Sequence, residues 1–290
     1  MADWAVPDVT VRSVALSVGD VEFIDTGGTG PPLVLVHGLL MNGSLWDQVV
    51  VDLARDHRCV VPTLPLGAHR RPVSNGTDLS PRGLTQLLIE FMDRLDLHDV
   101  VLVGNDTGGA LVQLVLAQGC PRVGRAVLVS CEVLDNLPPG LPGRTLALAG
   151  RLPPRLFGVF MQQMRLRPLR RLPLAFGWLT LRGDVATARW MLPLLTQSGI
   201  RRDAVAVIRA LTANSDVLLD AAESLAGIPQ PVLLIWAGRD RVMPLETGQR
   251  LAAILPRARL VQIADSYTLV PLDQPIALAG HLREYIQERQ

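Results

Sequence analysis

Short β-branched apolar runs alternate with stretches of helical periodicity over the first third of the chain. Residues 11–18 and 21–25, divided by Gly19-Asp20, predict two antiparallel strands joined by a tight turn. Residues 32–36 and 100–103 are apolar throughout, as strands covered on both faces are, and 58–62 and 126–130 predict two more. Helices are predicted from near Ser44, from Ser80-Pro81 to Leu95 with Ser80 as N-cap, and over 107–118. The alternation returns at the end as strand 231–236, helix 245–255, strand 259–263 and helix 274–287. Such alternation implies right-handed crossovers and an α/β fold with a mostly parallel sheet of about eight strands flanked by helices.

Between about 134 and 228 the strand runs stop and helical periodicity continues, rich in Pro, Arg, Leu and aromatics. That predicts a helical cap (134–228) inserted after the sixth strand into a core made of 1–133 and 229–290. Phe157, Phe160, Met161, Trp178 and Trp190 are candidates to roof a substrate pocket, with Met164, Phe176 and Met191 beside them. Packing of the cap onto the core accounts for such side chains equally well.

Composition narrows the chemistry. With 49% hydrophobic residues in 290, the chain buries a large interior and disorder is excluded. A net charge of +1 offers no footprint for nucleic acid. All 28 basic residues are Arg, so Schiff-base chemistry and a Lys base are excluded. Eleven of them fall between Arg144 and Arg202, opposed only by Asp184; a solvated face explains this, or attraction of an anionic substrate or acidic partner. Cys59, Cys120 and Cys131 are too scattered for a disulfide framework or a zinc site, so no metal is expected. No basic stretch leading into an apolar run opens the chain, and no run approaches the ~18 apolar residues of a membrane span. A cytoplasmic protein without membrane contact, without a cofactor and acting on a small molecule is expected, with a homodimer left open.

Gly104-Asn105-Asp106-Thr107-Gly108-Gly109 lies between an apolar strand and a helix, the setting of a nucleophile elbow, with Asp106 at its tip. His37-Gly38 closes the third predicted strand, so the amides of Leu39 and Thr107 would form an oxyanion hole. Asp240 follows the strand after the cap. Together these motifs resemble the α/β-hydrolase superfamily over essentially the whole chain, most closely its Asp-nucleophile branch of epoxide hydrolases and haloalkane dehalogenases. The resemblance implies a carboxylate that attacks carbon and an ester hydrolysed by water activated through a His–acid pair.

The pattern departs at that histidine. Related sequences read Asp-Ser-Gly-His, four residues, Glu, any residue, Pro; this chain reads Asp265-Ser266-Tyr267-Thr268 and then Asp273-Gln274-Pro275. Thr268 fills the histidine position, and threonine accepts no proton near neutral pH. His37 and His69 are the histidines placed at the active end, His69 as reserve base; with Asn42, Trp46 and Asp135 they are candidate substrate contacts. The cap has no tyrosine to polarise an epoxide, and Thr107 stands where haloalkane dehalogenases carry Trp and fluoroacetate dehalogenases Arg. The carboxylates Asp106, Glu132, Asp135 and Asp240 gather at strand ends instead, and close carboxylates push each other's pKa apart.

The predicted function is therefore non-hydrolytic acid/base chemistry by Asp106 on a bulky apolar molecule, with Glu132 or Asp240 as proton partner and Tyr267 or Thr268 as donor. Cyclisation, isomerisation, elimination or carbon–carbon bond formation fit, in a natural-product setting. The alternatives are an epoxide-hydrolase-like enzyme with a substitute base and a ligand-binding protein without activity.

Overall fold

A computed structural model describes residues 9–288; the opening segment read for a leader, 1–8, lies outside them. Eight strands form one sheet: β1 (Arg12–Leu16), β2 (Gly19–Asp25), β3 (Leu33–Val36), β4 (Cys59–Pro62), β5 (Val100–Asn105), β6 (Val123–Val129), β7 (Val232–Ala237) and β8 (Ala258–Ile263). Their order across the sheet is β1-β2-β4-β3-β5-β6-β7-β8. The pairs β1–β2 and β2–β4 are antiparallel and all others parallel, so the mostly parallel α/β sheet expected from the alternation is present, in the architecture that the α/β-hydrolase resemblance implies.

Each predicted strand exists, with one shift of register at the start. Leu16 pairs with Gly19, so the hairpin turn is Ser17-Val18 rather than Gly19-Asp20. Gly19 instead opens β2 at φ +114, a conformation glycine takes without steric cost.

The residues of β3, β4, β5 and β7 are buried on both faces and sort by parity. Leu33, Leu35, Val101 and Val103 pack with α1 (Asp47–Leu53) and α13 (Pro275–Gln287) on one side. Val34, Val36, Val100 and Leu102 pack with α2 (Pro81–Arg94) and α3 (Thr107–Ala117) on the other. That period of two is the reason the runs read as uninterrupted hydrophobics. Ser80 caps α2 as predicted, its hydroxyl accepting the amide of Gly83 at 3.1 Å.

Between β6 and β7 the chain is helical: α4 (Gly140–Ala149), α5 (Pro154–Met161), α6 (Arg167–Arg170), α7 (Asp184–Thr196), α8 (Ser198–Ala213), α9 (Val217–Asp220) and α10 (Ala222–Leu225). After β7 come α11 (Leu245–Ile254), β8, α12 (Val270–Asp273) and α13. The chain visits β4 on one side of β3 and β5 on the other. The crevice above such a switch point, at the strands' carboxyl ends, is where open α/β sheets place ligands.

Candidate active site

β3 and β5 are direct neighbours, with Val36 opposite Gly104, so the loop leaving β3 and the turn leaving β5 meet above the sheet. Asp106 sits at that turn with φ 56 and ψ −135, a strained backbone for a non-glycine residue. Close approach is possible because neighbours lack side chains. A Cβ on Gly104 would strike the Gly108 carbonyl, and one on Gly38 would fall on the Asp106 carboxylate itself.

The two amides expected as an oxyanion hole hold the side chain of Asp106. Its Oδ1 accepts the amides of Leu39 at 3.1 Å and Thr107 at 2.8 Å. The Thr107 hydroxyl donates to the same oxygen at 3.1 Å, so all three of these hydrogen bonds fall on Oδ1. Thr107 Oγ1 also stands 2.9 Å from Glu132 Oε1. One hydroxyl carries one proton, so it satisfies both carboxyls only if one of them is protonated. Burial, with the charge of Asp106 added, holds Glu132 well above the ordinary carboxylate range. Burial also raises Asp106, against the opposing pull of the Thr107 and Leu39 amides. Burial and the neighbouring charge of Asp106 favour Glu132 as the holder of that proton, and its Oε2 is buried without a partner.

All three residues open onto one cavity of about 320 Å³. Its remaining wall is largely apolar: Leu40, Met41 and Val242 from the core, and Leu146, Phe160, Met161, Met164, Phe176 and others from the segment between β6 and β7, with Thr145 and Gln163 polar. Of the aromatic and Met candidates, Phe160 and Met161 reach it, as do Met164 and Phe176. Phe157 and Trp190 are wholly buried packing residues outside the lining, and the indole N–H of Trp190 donates to Ser44 Oγ at 2.9 Å. Trp178 lies beside the Arg241 guanidinium rather than on the wall.

The histidines have other occupations. The Leu64 amide donates to His37 Nε2 at 2.9 Å, so Nδ1 carries the proton and donates to the Gly38 carbonyl at 2.9 Å. Burial pushes His37 down to about 4, keeping it neutral. His69 faces Asp203 at 3.2 Å and accepts the Gly67 amide; it is absent from the cavity wall. Among the described residues no imidazole lines the cavity. Asn42 caps the 3-10 turn Gly43–Trp46, Trp46 is fully buried core, and Asp135 is an exposed partner of Arg250 at 2.8 Å. None of these three, expected as substrate contacts, lines the cavity.

Asp240 and Thr268 form their own pair behind the wall. Thr268 Oγ1 donates to Asp240 Oδ1 at 2.8 Å, which also accepts the amides of Val242 and Met243. Burial outweighs these donors and raises Asp240 to about 6. Tyr267 lies between the guanidinium groups of Arg239 and Arg241, and its amide donates to Asp273 at 3.0 Å. Tyr267 is absent from the cavity wall.

Two positioning residues went unread in the sequence. Asn105 Nδ2 donates to the carbonyls of Val129, Ser130 and Thr268, stitching β5, β6 and the last loop together. Gln113 Nε2 donates to the Glu132 carbonyl at 2.7 Å and fixes its backbone. The signal was present: a polar side chain inside a fully apolar strand or helix must find partners. Among the described residues no three His, Cys, Asp or Glu side chains gather as metal ligands do.

An eight-stranded sheet, a strained elbow and a two-amide hole define an α/β hydrolase, and residues 33–281 match the model of the alpha/beta hydrolase family; the chain belongs to it. Haloalkane dehalogenase 2 of Mycobacterium tuberculosis is 25% identical over 277 residues, 92% of each chain. The magnesium-chelatase 30 kDa subunit of Rhodobacter capsulatus is 27% identical over 294 residues, 99% of this chain and 97% of the other. The crystal structure of the 2-hydroxy-6-oxo-6-phenylhexa-2,4-dienoate hydrolase of a Rhodococcus species shares the fold, with a TM-score of 0.78 at 19% identity over 97% of this chain and 100% of that one.

Proposed function

We propose that Asp106 and Glu132 act as a base–acid pair on a bulky, largely apolar small molecule, without hydrolysis by activated water. The observation that carries this is the Asp106–Thr107–Glu132 chain, 3.1 and 2.9 Å across one hydroxyl, in an apolar cavity with no imidazole on its wall. Thr268, where related enzymes keep the water-activating histidine, supports the same reading because its hydroxyl is already committed to Asp240. The helices between β6 and β7 act as the cap that shapes the substrate space.

Asp106 Oδ2 takes a proton from the bound molecule while the two amides hold Oδ1. Glu132, protonated, returns one at a second position of the same molecule. Loss of the proton from Asp106 Oδ2 to solvent and uptake of one by Glu132 restore the original distribution, with the Thr107 hydroxyl holding the two carboxyls in register. The net change is isomerisation, cyclisation or elimination, with no water consumed. Asp106→Asn and Glu132→Gln should each lower turnover of a substrate converted by the wild type by about 10²–10⁴-fold, the usual worth of a positioned acid or base.

A second reading has one observation in its favour. An Oδ1 gripped by both amides leaves Oδ2 free to attack carbon, and haloalkane dehalogenase 2 is among the relatives. Intact-mass spectra after incubation with epoxides and haloalkanes separate the two. No adduct and no product is the outcome expected for the acid/base enzyme; an ester persisting on Asp106 indicates a nucleophile without its base. Released diol or alcohol means a hydrolase and overturns the proposal.

A further inference from the structure

Ten of the twelve large apolar side chains that stand exposed among the described residues fall between Leu141 and Leu192. Single exposed hydrophobics need no explanation, but a contiguous patch does. Contiguity follows from the cavity. Phe160, Leu172 and Leu174 line it and are at the same time 40%, 43% and 48% exposed, so they form its rim. On α5, Leu156 stands one turn before Phe160 and Val159 directly precedes it, while Phe157 and Met161 of the same helix are buried. Leu166 lies at 59% exposure between Met164 and Leu169, both of which line the cavity. The mouth of the site is thus set in an apolar surface extending over α5 and the start of α6.

The segment that carries this surface is charged almost entirely with one sign. Residues 144–202 carry eleven arginines against Asp184 alone, whereas the rest of the chain carries 17 arginines against 26 acidic residues. Asp184 is already taken by Arg167 and Arg170. Arg155 and Arg171, next in sequence to Leu156 and Leu172, are exposed and have no carboxylate partner among the described residues; Arg144, Arg151 and Arg189 share that state.

We propose that this face docks, cavity mouth first, onto an anionic lipid surface, with the apolar rim entering the headgroup boundary and the arginines meeting lipid phosphates. Interfacial binding of helical surfaces has these two components, buried apolar area and attraction of cations to anionic lipid. No described helix is long and apolar enough to cross a membrane, so the contact is peripheral. A second copy pairing through the same face would oppose its own positive charge. The membrane contact runs against the expectation drawn from the sequence, which weighed only spanning segments. Its consequence is that an apolar molecule passes from the bilayer into the cavity without crossing water.

Flotation of the full chain with vesicles tests this. Phosphatidylcholine alone should bind weakly, an equimolar mixture with phosphatidylglycerol strongly, and added salt should reverse the binding. At about 1 kcal/mol per basic residue near the surface, Arg155→Gln with Arg171→Gln should weaken partitioning by about 25-fold. Val159→Ser with Leu156→Ser should weaken it at unchanged salt dependence. These positions are exposed, so thermal unfolding should match the wild type and confirm that the variants are folded. Equal binding to neutral and anionic vesicles overturns the proposal. So does a failure to bind either, self-association in light scattering without vesicle binding, or capture of an acidic carrier protein in their place.

Discussion

Thr107 is the residue on which the candidate chemistry turns, because its hydroxyl alone touches both carboxyls. Replacing it with valine keeps the shape and the backbone amide to Asp106 but removes the bridge. Glu132 then has neither oxygen hydrogen-bonded, and a buried polar group left unsatisfied costs about 1–3 kcal/mol. Thr107→Val should therefore lose about that much stability in urea unfolding and raise the Glu132 titration further, followed by infrared or carbon NMR. An unchanged Glu132 titration would remove the basis for a shared proton. In the sequence, the Thr107 amide was legible as half of the oxyanion hole, but its side chain only as a departure from the Trp or Arg of dehalogenases. Which carboxyl it bridges depends on where β6 ends, 25 residues on.

Elements place those residues. The turn after β5 and the loop after β3 converge because a parallel register sets Val36 against Gly104. Gly38 is the point of tightest approach, since any Cβ there collides with the Asp106 carboxylate. Gly38→Ala should leave the sheet and its circular dichroism intact while displacing the carboxylate from the Leu39 amide. A misplacement of about an ångström costs on the order of 10²-fold in rate, so turnover should fall at least that far with only a modest change in melting temperature. Activity within a few-fold of wild type would mean that Oδ1 need not occupy the two-amide site.

At the scale of the molecule, buried carboxyls tie stability to pH. Asp240 titrates near 3.8 when exposed and at about 6 in the fold, so between those values the native state binds more protons than the unfolded chain. Stability from this group falls as pH rises through that window and is constant above it. Asp240→Asn lacks the effect. The melting temperature of the variant relative to wild type should climb from pH 4 to pH 6 and then level; a flat difference would show that Asp240 is not raised. The same scale carries the segregation of charge, with a strongly basic helical segment on a chain whose net charge is +1.

The sequence by itself determined the sheet, the elbow and the two-amide hole, because each is a local matter. Strands buried on both faces must be apolar at every position, and a turn that exposes its tip residue must be flanked by glycine. It also located Glu132 and Asp240 at strand ends, though not which of them is joined to Asp106 through a hydroxyl. Only the tertiary structure decided that. It paired Thr268 with Asp240 behind the wall, committed His37 to Leu64 and His69 to Asp203, and drew Asn42, Trp46 and Asp135 away from the cavity. The physical reason is that a polar side chain's partner comes from whatever element packs against it. Between residues 37 and 64, 69 and 203, or 240 and 268, that choice is made by packing and leaves no periodicity in the chain.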